Sequence, residues 1–235
     1  TEQIEIIKGF ESFNDFSISS EQKTLEKNII NDNKIRKIYS STDLTAEIIN
    51  TEQVVLILGQ PTLPHFMNED LVLRLISCHL GCGMSSLLFR RLREKHGVAY
   101  EVGAHHPVRE FEAPFLIHAS TSEEKALTTL KLLYETWLEL SQVHISKKEL
   151  RLIRSKFVGQ IAHNSQTAGQ RAERIAQLQS LNLPINYDQD SIERIKNIGE
   201  KEIRNAASLY LSNPILSLCG PQKTIEKLIN YWRNK

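Results

Sequence analysis

Residues 81–100 read GCGMSSLLFRRLREKHGVAY. Gly81 and Gly83 interrupt whatever regular element reaches them, because glycine enters left-handed backbone freely. Beyond them Leu88 and Leu92 stand one turn apart among arginines, which predicts a helix from Ser85 to about His96. Gly97 falls where a helix C-cap is expected. Val98, Tyr100, Val102 and Ala104 then alternate with other residues, the period of a strand. A helix and a strand joined by a glycine is a unit of a mixed α and β domain.

The flanks continue that pattern. Upstream, Gln53–Leu58 (QVVLIL) is a continuous apolar strand stopped by Gly59 and Pro61, and Glu69–Leu80 has helical spacing through Leu71, Leu75 and Cys78. Downstream, Ala113–Ser120 (APFLIHAS) reads as an antiparallel partner of the strand after Gly97, with His105–Glu112 connecting them. Thr121 and Glu124 have capping-box spacing and predict a helix striped with Leu130, Leu133, Trp137 and Leu140. Ser146 and Glu149 predict another, through Leu150, Ile153, Phe157 and Ile161. Shorter helices are expected over about Gln166–Leu181, Ser191–Lys196 and Glu200–Leu211. A strand at Ile215–Cys219 and a helix at Thr224–Trp232 close the chain. Without a strict βαβ repeat, the elements predict an α+β two-layer sandwich, a mixed or antiparallel sheet with helices on one face.

Residues 1–45 differ. They are rich in Asn, Lys, Glu and Ser, with weak strand candidates at Glu5–Ile7 and Ile35–Tyr39. Ser19 and Gln22 have capping-box spacing for a helix over about Glu21–Ile30. This stretch is expected to be a linker or lead-in segment to a main domain at 46–235. An unusually polar first layer of the same domain fits the pattern equally.

Composition narrows the partners. Of 235 residues, 40% are hydrophobic and 24% charged, as in soluble globular chains. A formal charge of +1 gives no electrostatic reason to expect a nucleic acid or an anionic membrane. The basic cluster Arg90, Arg91, Arg93 and Lys95 lacks the aromatic platform that nucleic-acid binding uses. No apolar run reaches the length of a membrane span, and the opening TEQIEIIKGFESF lacks signal-peptide shape. Without an initiator Met, the chain is expected to be a processed protein or a piece of a larger one. The three cysteines, Cys78, Cys82 and Cys219, fit a reducing compartment, so a cytoplasmic location is expected. A periplasmic one stays open if an upstream signal was removed.

The stretch at 81–100 resembles the signature of the second half of pitrilysin/insulinase-type zinc peptidases, a family that includes mitochondrial processing peptidase. Its glycine pair, Met-Ser-Ser, Leu-Phe, Arg-Glu-Lys, glycine and Ala-Tyr follow the family order. Gly59–His65, Ala113–Ser122, Ser146–Lys156 and Gly220–Pro221 extend the likeness over roughly residues 50–221. Cys82 stands where the family commonly has a third glycine. The long glycine-rich loop of the processing peptidase is absent, so presequence recognition does not carry over.

The resemblance implies a clamshell of two similar halves, one bearing the inverted zinc motif H-x-x-E-H. None of the eight histidines here begins that motif or H-E-x-x-H. No cofactor is therefore expected in this chain, and zinc is expected on a partner half. By the same resemblance Arg93 and Tyr100, seven residues apart, match the family's substrate-binding arginine and tyrosine. Tyr100 would donate to the oxyanion of the attacked carbonyl, and Arg93 would hold a substrate backbone carbonyl. Gly83 and Ser85 belong to the glycine-rich turn, whose N–H groups either touch a peptide or cap the following helix. Cys78, His79 and Cys82 lack a second ligand pair and read as packed thiols rather than a metal site. His105 and His106 point to opposite faces of a strand and form no ligand pair.

The implied function is that of a zinc-free half which encloses an unfolded peptide and lends Arg93 and Tyr100 to a zinc-bearing half or sister subunit. A homodimer or a heterodimer accommodates such pairing. The competing function is an assembly subunit of the same family with no peptidase role.

Overall fold

A computed structural model describes residues 38–41, 43–142 and 145–235. The strands are β1 (Ile38–Ser41), β2 (Leu44–Ile48), β3 (Gln53–Pro61), β4 (Glu101–His105), β5 (Pro114–Ser122) and β6 (Ile215–Gly220). They form one sheet in the order β1-β2-β6-β3-β5-β4. Only β2 and β6 pair in parallel; every other neighbour is antiparallel. The helices are α1 (Asn68–Gly81), α2 (Ala126–Glu139), α3 (Lys147–His163), α4 (Ala168–Ser180), α5 (Tyr187–Arg194), α6 (Glu200–Tyr210) and α7 (Gln222–Arg233). A π-helical segment, Phe89–Lys95, follows α1.

Alternation fixes which side of the sheet is dry. Val54, Leu56 and Leu58 of β3 are fully buried, as are Phe115 and Ile117 of β5 and Leu216 of β6. Their alternate neighbours Pro114, Leu116, His118 and Ser120 are only half-buried. One face therefore packs under the helices, as the period-two patterns require. Phe115 meets Trp137 of α2 edge-to-face at 5.8 Å, and the Trp137 indole N–H donates to the Leu211 carbonyl at 2.8 Å. That bond lets a large aromatic side chain be buried with its polar atom satisfied. Helix α1 buries residues nearly all round, including Asp70, Leu73, Leu75 and Leu80. It is sandwiched between the sheet and the helices outside it.

The α+β sandwich expected from the sequence is the observed fold. The Ser146–Glu149 capping box is present: the Glu149 N–H donates to Ser146 Oγ at 3.2 Å and the Ser146 N–H to Glu149 Oε2 at 3.0 Å. Several details differ. The sheet begins at β1 and β2, so the boundary expected at 45/46 falls inside a strand. Strand β3 runs through Gly59 to Pro61, because Gly59 packs rather than breaks. A Cβ there would lie 2.3 Å from Leu116 Cδ2. Thr121 is no helix cap. It lies inside β5, fully buried, and its hydroxyl donates to the Val98 carbonyl. The helix expected over Ser191–Lys196 starts earlier, at Tyr187. The candidates at Glu5–Ile7 and Glu21–Ile30, with Ser19 and Gln22, lie outside the described residues.

Candidate functional site

The helix expected from Ser85 is irregular at its start. Ser86 is buried, and its Oγ accepts from the Phe89 N–H at 3.4 Å. Capping therefore falls to Ser86. Gly83 has φ of +71°, with open space where a Cβ would be, and Ser85 beside it is exposed. Gly83 and Ser85 thus present themselves to solvent rather than to the helix.

The π-helical segment is pinned from two sides. The Arg91 guanidinium donates to Glu139 at 2.6 Å and to Glu135 at 3.1 Å, both on α2. Gly97, at φ +59°, reverses the chain, and the Val98 N–H returns to the Leu92 carbonyl at 2.9 Å. Lys125 adds a bond to the Gly97 carbonyl at 2.9 Å. The buried hydroxyls of Thr121 and Thr129 both donate to the Val98 carbonyl. These polar links hold the connection from helix to strand.

Arg93 lies on the first arm of that connection. It is exposed, and its guanidinium stacks 5.0 Å over the Phe89 ring. Tyr100 lies on the second arm. Its backbone N–H donates to the Ser120 carbonyl at 2.9 Å, while the residue stays 59% exposed. The strand expected from Val98 begins only at Glu101, so Tyr100 lies just before β4 rather than within it. Among the described residues, neither the Arg93 guanidinium nor the Tyr100 hydroxyl has a hydrogen-bond partner. The connection thus holds both backbones and leaves both side-chain donors unused.

A cavity of about 450 Å³ lies elsewhere. Arg74, Cys78, Cys82, His106, Phe157 and Arg174 contribute to its wall, and neither Arg93 nor Tyr100 does. The Arg74 guanidinium sits over the rings of Phe157 and Tyr187 and donates to the Tyr187 hydroxyl at 3.1 Å. Arg174 binds Asp188 through two nitrogens, at 2.6 and 2.8 Å, and that pairing raises its pKa. Nε2 of His106 donates to Asp70 at 3.0 Å in the interior. Sequence reasoning missed these pairs. An acid inside the apolar run of α1 was the one available signal, and it does not name its partner.

Residues 11–157 match the family described as the Peptidase M16 inactive domain. This chain belongs to that family. It is 33% identical over 181 residues to a Rickettsia felis protein named as an uncharacterized zinc protease, covering 72% of this chain and 42% of the relative. A Pseudomonas fluorescens peptidase M16 inactive domain superposes with a TM-score of 0.66 at 23% identity, over 76% of this chain and 43% of that one. A Helicobacter pylori protease gives 0.66 at 16% identity, over 86% and 53%. The chain spans about two fifths of the length of the curated relative it matches.

The resemblance to pitrilysin/insulinase-type peptidases is borne out, and the matching domain is the inactive one. H-x-x-E-H is absent from the sequence, and no group of three or more His, Cys, Asp or Glu is placed to hold a metal among the described residues.

Proposed function

We propose that this chain is the zinc-free half of a two-half peptidase, enclosing an unfolded peptide and presenting Arg93 and Tyr100 to a zinc-bearing half. The observation that carries this reading is the pair of unused donors on one pinned connection. Ordering a long side chain costs entropy, so a donor already held near its working position loses less on binding. In this reading the Arg93 guanidinium takes a substrate backbone carbonyl. The Tyr100 phenol donates to the oxygen that gains negative charge when the scissile carbonyl is attacked. Gly83 and Ser85 offer backbone N–H groups to the same peptide. Membership of the inactive-domain family and the partial coverage of longer relatives support a partner half.

The test is complementation. A zinc-bearing half from the same source is titrated with this chain, and cleavage of a quenched peptide is followed. A saturable gain in cleavage supports the proposal. A stable complex without that gain favours the assembly subunit instead.

A further inference from the structure

Two consecutive residues of β5 grip the backbone on either side of Ala99. The Ser120 carbonyl accepts the Tyr100 N–H at 2.9 Å, and the Thr121 hydroxyl donates to the Val98 carbonyl. The Val98 N–H is already spent on the Leu92 carbonyl, so both polar groups of Val98 are fixed. Thr129 of α2 stands behind this contact. Its Oγ lies 3.1 Å from the Val98 carbonyl and 3.3 Å from Thr121 Oγ. A carbonyl oxygen has two lone pairs and accommodates both hydroxyls. Thr121 and Thr129 are both fully buried, where a hydroxyl is costly unless it is bonded. Valine would fill the same place in a strand as well as threonine does. What threonine adds at 121 is therefore the bond to the chain two residues before Tyr100.

We propose that Thr121 is a positioning residue for peptide cleavage, with Thr129 supporting it. The inference rests on the reading of Tyr100 as the oxyanion donor. With the Val98 carbonyl and the Tyr100 N–H both held from β5, the direction in which the Tyr100 side chain leaves the backbone is set. Only its own side-chain torsions remain to place the phenol. An oxyanion donor works within a narrow distance of the oxygen that becomes charged. A displacement on the order of 1 Å costs up to about a hundredfold in rate. Releasing one side of the grip therefore acts on turnover, through Tyr100, rather than on substrate binding.

The test is a double-variant cycle in the assembled two-half enzyme. Values of kcat and KM are measured for the unaltered chain, Thr121→Val, Tyr100→Phe and the pair combined. Thr121→Val should lower kcat about tenfold and leave KM within about twofold. Thr121→Ser keeps the hydroxyl and should restore kcat to within about threefold of the unaltered value. In the Tyr100→Phe background Thr121→Val should change kcat by less than about twofold, because the donor it positions is gone. A threonine that only supports the fold would lower kcat equally in both backgrounds. If Thr121→Val fails to fold, Thr129→Val takes its place in the cycle, with an expected loss of about threefold that disappears beside Tyr100→Phe. Equal losses in both backgrounds, or an unchanged kcat in the Tyr100 background, would overturn the positioning role and leave that of Tyr100 standing. Full activity in Tyr100→Phe would overturn both.

Discussion

Nε2 of His106 donates to Oδ1 of Asp70 at 3.0 Å, and both residues are buried. Nδ1 of the same ring stands 3.3 Å from the Pro114 carbonyl. One imidazole thus links the first turn of α1, the end of β4 and the start of β5. Removing one member leaves the other buried without its partner, which typically costs about 3–5 kcal/mol. Asp70→Ala and His106→Ala should each lower stability by about 3 kcal/mol, and the double variant by clearly less than their sum. Urea unfolding of the four proteins measures this. Small, additive losses would show that the pair is incidental.

His79 is held differently. It lines a small, mostly apolar pocket with Leu75, Ile76 and Ile153, and burial pushes its pKa from 6.5 down to about 4 despite the nearby Glu149. The folded state therefore resists protonation that the unfolded chain accepts. Stability is complete above about pH 6.5 and falls as the pH drops toward 4, by up to about 3 kcal/mol if burial persists. His79→Leu should flatten that part of the stability profile. An unchanged slope between those pH values would place the acid sensitivity elsewhere.

Gly81 ends α1 against β4. A Cβ there would lie 2.5 Å from the Ala104 backbone nitrogen, which cannot step aside as a side chain can. Alanine normally favours a helix over glycine by about 1 kcal/mol. The clash should reverse that sign, so Gly81→Ala is expected to destabilise by about 1–3 kcal/mol. Thermal unfolding checks the direction, and a stabilised variant would contradict the packing.

How much was visible in the sequence depends on range. The Ser146–Glu149 box and the left-handed Gly97 were legible because their partners are a few residues away. The strand β3 was legible because its run is apolar on both faces, Val54, Leu56 and Leu58 buried and Val55 and Ile57 on the more open side. Thr121 misled because capping spacing is local, whereas its hydroxyl serves the carbonyl of Val98 in the connection before β4. The added residue per turn of Phe89–Lys95 leaves no trace in the leucine spacing. Asp70 and His106 are united only by the folded α1–β4 contact. At the candidate site, the family resemblance named Arg93 and Tyr100; the helix end at Arg93 was legible, whereas Tyr100 falls just before β4 rather than inside the strand. The pattern did not reveal that Ser86, rather than Ser85, does the capping.

The central claim concerns Tyr100, whose exposed phenol has no partner among the described residues. Arg93→Ala should raise KM more than it lowers kcat, since its proposed bond to a backbone carbonyl exists before the reaction as well as during it. The most direct measurement is steady-state cleavage by the assembled two-half enzyme carrying Tyr100→Phe. The expected result is a kcat lower by about a hundred- to a thousand-fold, as for loss of one oxyanion donor, with KM, zinc content and folding preserved. A kcat equal to that of the unaltered enzyme would contradict the account.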